Sequence, residues 1–327
     1  MHYFVNYHKK LLTPKMQEAY HNLLMGLEDV ADAIYLADNL SQEDIKQIYE
    51  YVLLDNPHIF YVDNVYETTL GATARFVPKY IYSKRAINKL NSMVNTYLSN
   101  LKKAFEKTDD MSALGKERFV HDYCLKYFSY DHKLKKISHT ILGPIENKKA
   151  VCDGISKFVK LALNYMGVQC IVVTGVGRNP SKSKDEPHAW NIVDIDGWSY
   201  HLDVTYDMTL TETITRYDYF NLADNDILKD HVCNGIIPKC GIDGSYYLKE
   251  RLVARSLNEL EPIIDRHVQT PGKVCFCVKL SSMAYTENTV NTVMELALRR
   301  YQIVNPGKAN VNVRYNSTQM VFEISLK

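Results

Sequence analysis

The chain has 327 residues, 46% hydrophobic and 24% charged, which excludes a collagen-like, low-complexity or wholly disordered polypeptide. Lys and Arg number 39 against 38 Asp and Glu, a net charge of +1, so the sequence carries no electrostatic footprint for nucleic acid or an anionic membrane surface. Residues 1–10 lack a basic stretch followed by an apolar core, and no apolar run of about 18 residues occurs; neither a signal peptide nor a membrane span is expected, and a cytoplasmic location is the default.

Thr13-Pro14 reads as an N-cap with proline at the first helical position, opening a helix whose apolar positions run Leu23, Leu24, Leu27, Val30, Ala31 and Ile34. Ser41-Gln42-Glu43-Asp44 resembles a capping box for a second helix through Ile45, Ile48, Tyr49 and Val52, stopped at Asp55-Asn56-Pro57. Residues 58–70 and 75–82 read as strands around Gly71. From Ser83 to about Lys107, one apolar stripe (Ile87, Leu90, Val94, Leu98, Leu101, Phe105) predicts a long amphipathic helix, with a boundary at Thr108-Asp109-Asp110.

A further helix runs through Phe119, Tyr123 and Tyr127. A loop with Gly143-Pro144 leads to a helix after Cys152 that Gly167 is placed to end. Residues 168–176 read as a buried strand and 178–187 as a polar loop. Strands 188–195 and 198–205 are joined by Asp196-Gly197, a strong hairpin signal. The tail opens with a second capping box, Ser256-Leu257-Asn258-Glu259, on a helix to about His267. A strand at 273–280, a helix from about Thr286 to Tyr301 and strands near 310–315 and 319–326 complete it. The chain is thus expected to be α+β in three parts: a mainly helical unit at 1–110, a core at 111–255 and a small α+β module at 256–327.

Three residues stand out by placement. Cys152 starts a predicted helix, where unpaired amides and the helix dipole favour an anion such as a thiolate and can later hold an oxyanion. Gly154 behind it permits close packing of the helix start. If Asp196-Gly197 is a two-residue turn, Ile195 pairs with Trp198. Stepping back along both strands then places Asp203 opposite Trp190, with His188 its diagonal neighbour on the same face. The opposite face (Val193, Ile195, Trp198, Tyr200, Leu202) suits a core. A carboxylate on one imidazole nitrogen leaves the other to take a proton from a thiol, so Cys152, His188 and Asp203 form a candidate nucleophile, base and orienter for acyl transfer through a thioester.

No cofactor is expected: Gly175-Val176-Gly177 is followed by Pro180 where a dinucleotide fingerprint needs glycine. No metal is expected either, since Cys233, Cys240 and His231 do not make four ligands and Cys275 and Cys277 read as buried thiols.

The stretch from about Phe119 to Asp207 resembles the transglutaminase-like superfamily of papain-like cysteine enzymes. The residues that carry it are Ala150 to Phe158, Gly167-Val168-Gln169-Cys170, His188-Ala189-Trp190-Asn191 and His201 to Asp207, with His121-Asp122-Tyr123 and Tyr130-Asp131 upstream as in bacterial members. Ala150 stands where bacterial members often have glycine, and Tyr206 where many have tryptophan. The resemblance implies a papain-like core, with the nucleophile's helix packed on an antiparallel sheet. It carries over Cys152 as nucleophile, His188 as general base and acid, and Asp203 as orienter, acting on peptide or protein substrates, with hydrolysis favoured over crosslinking. The alternative it leaves open is a catalytically inactive scaffold or binding protein in cell division or cell-wall-associated assembly.

Overall fold

The computed structural model describes residues 6–178, 185–269 and 271–327. Thr13 caps α1 (Pro14–Glu28), its side chain accepting from the Met16 amide. The helix stops earlier than its apolar spacing suggests. Val30 takes a φ of 56°, and the amides of Val30 and Ala31 close back onto the carbonyls of Leu27 and Gly26. Ile34, read as helical from spacing alone, therefore begins strand β1 (Ile34–Asp38).

Helix α2 (Gln42–Asp55) carries the full capping box: Ser41 Oγ accepts from the Asp44 amide at 3.1 Å and Asp44 Oδ2 from the Ser41 amide at 2.9 Å. Strands β2 (Val62–Thr69) and β3 (Thr73–Tyr80), then helices α3 (Lys84–Phe105) and α4 (Ala113–Tyr127), follow where periodicity put them. Two short parallel strands, β4 (Ser129–Tyr130) and β5 (Lys149–Ala150), bracket the loop that leads into α5 (Cys152–Tyr165). Gly167 ends α5 at φ +83°.

Next come β6 (Cys170–Gly177), β7 (Glu186–Ile195) and β8 (Trp198–Leu202). Most of the polar loop expected at 178–187, residues 179–184, lies outside the described residues. Asp196 and Gly197 have φ of 54° and 86°, the left-handed pair a two-residue hairpin turn demands. Strand β8 is shorter than the expected 198–205 because Asp203 leaves the extended conformation to cap α6 (Val204–Leu210). The stretch that periodicity left unassigned holds β9 (Phe220–Leu222), α7 (Asp224–Ile227), β10 (His231–Cys233), α8 (Tyr246–Lys249) and β11 (Val253–Ala254). The tail follows the sequence pattern: α9 (Leu257–His267), β12 (Val274–Leu280), α10 (Glu287–Val304), β13 (Val311–Asn316) and β14 (Val321–Leu326). Its capping box is only half formed: Ser256 Oγ takes the Glu259 amide at 3.3 Å, whereas Glu259 Oε2 takes the Arg255 amide at 2.8 Å.

The protein is α+β, with antiparallel pairing of β1 with β3, β2 with β3, β8 with β9, and β14 with both β12 and β13, and with β11 added parallel to β12. The larger sheets among the described residues have the orders β1-β3-β2, β10-β6-β7-β8-β9 and β11-β12-β14-β13. The chain divides into two compact units, one of Met1–Val176, Pro187–Ser199 and Cys233–Pro238, the other of Gly177–Glu186, Tyr200–Val232 and Lys239–Lys327. Among the described residues no helix is long and apolar enough to cross a membrane.

In the first unit, the α3 stripe Ile87, Val94, Leu98, Leu101 and Phe105 is buried, as an amphipathic helix requires. An aromatic seam joins α3, α4 and α5. Phe128 and Phe158 meet edge to face with centroids 4.9 Å apart, and the Tyr97 and Tyr123 hydroxyls share a 2.8 Å hydrogen bond. Such ring pairs add about 0.5–1.5 kcal/mol each beyond area burial.

In the second unit, α9 and α10 contribute Leu260, Ile264, Val293 and Ala297 to a core with Phe276, Val278, Phe322 and Ile324. The β12–β14 register pairs Phe276 with Ile324 and Val278 with Phe322, so the strand period of two turns Cys275, Cys277, Glu323 and Ser325 to the other face. There Arg216, buried, is bidentate to Asp218 at 3.0 and 2.7 Å and reaches Glu323 at 3.3 Å. Burial pushes the Cys277 thiol up to about 12 and raises Cys275 as well, so both behave as protonated thiols.

Candidate active site

Cys152 is the first residue of α5 and is half-buried. Its N-cap residue, Val151, has no side-chain oxygen to give the first turn, and no side-chain hydrogen bond caps this end of α5. The approach loop is fixed mainly by its own backbone. The Asp131 amide bonds the Ala150 carbonyl at 2.9 Å, and the Val151 amide bonds the Ser138 carbonyl at 3.1 Å. The Asp131 carboxylate holds the loop from within, accepting from the Lys133 amide at 3.1 Å, the Lys135 amide at 3.3 Å and the Ser138 hydroxyl at 2.5 Å. Gly143-Pro144 lies in one wide helical turn that Lys148 ends at φ 55°.

Close approach of this loop dictates the glycine at 154. A Cβ there would lie 2.2 Å from the Ser138 carbonyl oxygen and 3.0 Å from that of Thr140. The glycine expected to allow tight packing behind Cys152 is thus required by backbone that cannot move cheaply. Asp153, beside Cys152, bonds Lys157 Nζ at 2.9 Å, with His139 Nδ1 at 3.8 Å. Burial opposes its ionisation, but the Lys157 ammonium and His139 outweigh that and hold the carboxyl below its ordinary range. A cavity of about 300 Å³ opens against this corner, lined by Ile59, Phe60, Asp63, His139, Asp153 and Lys157 among others.

His188 lies on β7 in the same unit, half-buried, its ring nearly parallel to that of buried Trp190 at 5.9 Å between centroids. Asn191, three residues on, is a buried cross-link that spacing alone did not single out. Its amide nitrogen donates to the Ser156 carbonyl on α5 at 2.9 Å and to the Ile171 carbonyl on β6 at 3.1 Å. The strand that carries His188 is thereby tied to the helix that carries Cys152. Trp198, expected in the core face of the hairpin, is instead exposed, because it is the first residue after the turn.

Asp203 belongs to the second unit and is fully buried. Its Oδ1 accepts from the Thr205 and Tyr206 amides at 2.9 and 3.1 Å, which is why the chain turns into α6 here. Its Oδ2 meets His231 Nε2 at 3.0 Å, and His231 Nδ1 meets Asp230 Oδ1 at 2.7 Å. Asp230 Oδ2 in turn accepts from the Tyr219 hydroxyl at 2.5 Å. Burial works against a charged His231, but Asp203 and Asp230 outweigh it and raise its pKa, so the imidazolium sits between two carboxylates. No local motif marks His231. It lies 28 residues from Asp203, and only the fold pairs them.

Residues 99–203 match the family model described as the Transglutaminase-like superfamily. This segment runs from α3 to Asp203 and contains Cys152, His188 and Asp203. A search of curated proteins returns no match. Among solved structures, a proposed cysteine protease from Cytophaga hutchinsonii aligns at 15% identity over 34% of this chain and 37% of that one, with a TM-score of 0.29. A TGase aligns at 16% identity over 53% of this chain and 51% of that one, with a TM-score of 0.29. The chain therefore matches about a third to a half of the length of these structures.

Proposed function

We propose that the chain is a cysteine-dependent acyl-transfer enzyme acting on peptide or protein amide bonds, with hydrolysis as its overall reaction and Cys152, His188 and Asp203 as its relay. Cys152 Sγ attacks the carbonyl carbon, and the leading amides of α5 hold the oxygen as it gains charge. The C–N bond breaks as His188 passes the thiol proton to the departing amine. Water then attacks the thioester, gives its proton through His188, and leaves a carboxylic acid and the free thiol. Asp203 orients His188 and supports its charged form. The proposed setting is cytoplasmic, with no cofactor, nucleic acid or membrane involved.

The observation that carries this reading is Cys152 at an uncapped helix N-terminus, within a segment that matches the transglutaminase-like superfamily model and at the end of a locked loop. A second reading, an inactive scaffold on the same fold, is favoured by one feature: both Asp203 oxygens already hold partners within their own unit. A carboxylate has about four lone-pair sites, so acceptor capacity remains for His188.

Alkylation by iodoacetamide near neutral pH, read by mass spectrometry, separates the two. Of seven cysteines, Cys124, Cys170, Cys240 and Cys277 are buried, and burial raises the Cys275 thiol, which makes half-buried Cys233 the comparator. Cys152 is expected to react at least about tenfold faster than Cys233. Equal rates remove the basis for the enzyme.

A further inference from the structure

We infer that His201, Asp224 and Cys240 form a zinc site within the second unit. His201 lies on β8, Asp224 is the first residue of α7, and Cys240 lies in the segment that precedes α8. Each offers one donor atom, and the three atoms lie within 4.8 Å of one another. Tetrahedral zinc with bonds of about 2.0–2.3 Å sets its ligands about 3.3–3.8 Å apart, so the 3.0 Å pair of His201 and Asp224 opens slightly while longer separations close by about an ångström.

The backbone assembles these donors before any metal arrives. The β8–β9 register pairs His201 with Leu222, two residues before Asp224. The Asp224 amide donates to the Cys240 carbonyl at 2.8 Å, and Asp224 Oδ2 accepts from the Cys240 amide at 3.1 Å. Asp224 Oδ1 already stands 3.0 Å from His201 Nε2. One carboxylate oxygen is thus held by the loop while the other faces the imidazole, the arrangement of a monodentate ligand steadied by an outer hydrogen bond. A simple tie between β8 and this loop would need only the histidine and the aspartate. The sulfur beside them makes a soft, mixed S/N/O set that suits zinc and not magnesium or calcium.

His201 and Cys240 are fully buried, whereas the Asp224 side chain keeps 26% of its exposure, enough to admit a water as fourth ligand. Binding forms an S–Zn bond as the Cys240 thiol proton passes to solvent, so one proton leaves from sulfur for each zinc bound.

The full chain, stripped with EDTA and dialysed free of chelator, is titrated with Zn²⁺ and separately with Co²⁺. One equivalent of metal is expected, with a thiolate-to-cobalt charge-transfer band that persists in Cys152→Ala and disappears in Cys240→Ser. Asp224→Asn is expected to weaken binding about tenfold or more. No binding at micromolar metal, or a band retained in Cys240→Ser, overturns the assignment. Should Cys240→Ser fail to fold, zinc X-ray absorption on the wild-type chain decides. One sulfur neighbour at about 2.3 Å among N/O scatterers upholds the site, and none, or two or more, refutes it.

Discussion

Cys152 enters its helix from a loop fixed largely by amides, carbonyls and a glycine with no room for a methyl group, whereas Asp203 sits at the end of a buried chain of ionisable side chains, Asp203, His231, Asp230 and Tyr219. Backbone scaffolding is sensitive to volume and, apart from the Asp131 carboxylate that braces this loop, indifferent to pH. A buried charge chain is tolerant of small volume changes and sensitive to proton count. The two ends of the proposed relay should therefore fail in different ways.

The largest effect is expected at the charged end. His231→Gln keeps a hydrogen-bonding side chain but leaves two buried carboxylates without their cation, a loss of about 3–5 kcal/mol in denaturant unfolding. The sign with pH follows from the raised His231 pKa. The stabilisation is fully present below the ordinary histidine pKa of about 6.5 and fades as pH rises through the higher folded-state value. In the wild type, stability should carry this downward slope, and in His231→Gln the slope should flatten. A variant as stable as wild type, with an unchanged slope, would mean that the chain does not hold Asp203.

Next is Gly154→Ala, which drives a methyl group into the Ser138 carbonyl and is expected to cost about 3 kcal/mol with no pH dependence. Alkylation of Cys152 in the folded variant should slow as the helix start shifts. An unchanged melting temperature would show that the loop yields, and would erase the contrast between the two ends. Smaller again is Asn191→Ala, which leaves the Ser156 and Ile171 carbonyls without this donor, a loss of about 2 kcal/mol by thermal unfolding. A loss below about 0.5 kcal/mol would mean that Asn191 does not tie α5 to its strands.

Much of the fold was legible where local chemistry is strong. The Thr13 and Ser41 caps, the Asp196-Gly197 turn and the α3 stripe each fix one element with groups a few residues apart. The early end of α1 was not legible, because Ile34 continues the apolar spacing while Val30 adopts a left-handed φ that no residue type announces. Residues 204–255 escaped reading because their helices and strands are only two to seven residues long, too short to show a period. At the candidate site, Cys152 and Gly154 were readable from a helix start. Asn191 was visible as part of a motif but not as a strut. His231 and Asp224 act over separations that sequence does not encode locally.

The central claim, that Cys152 is a nucleophile served by His188, is tested most directly by acylation. The full chain is incubated with an activated peptidyl ester, quenched in acid, and the adduct located by mass spectrometry. One acyl group on Cys152 is expected, absent in Cys152→Ala and formed about a hundredfold or more slowly in His188→Gln. No adduct on Cys152, or one formed as fast without the imidazole, would contradict the claim.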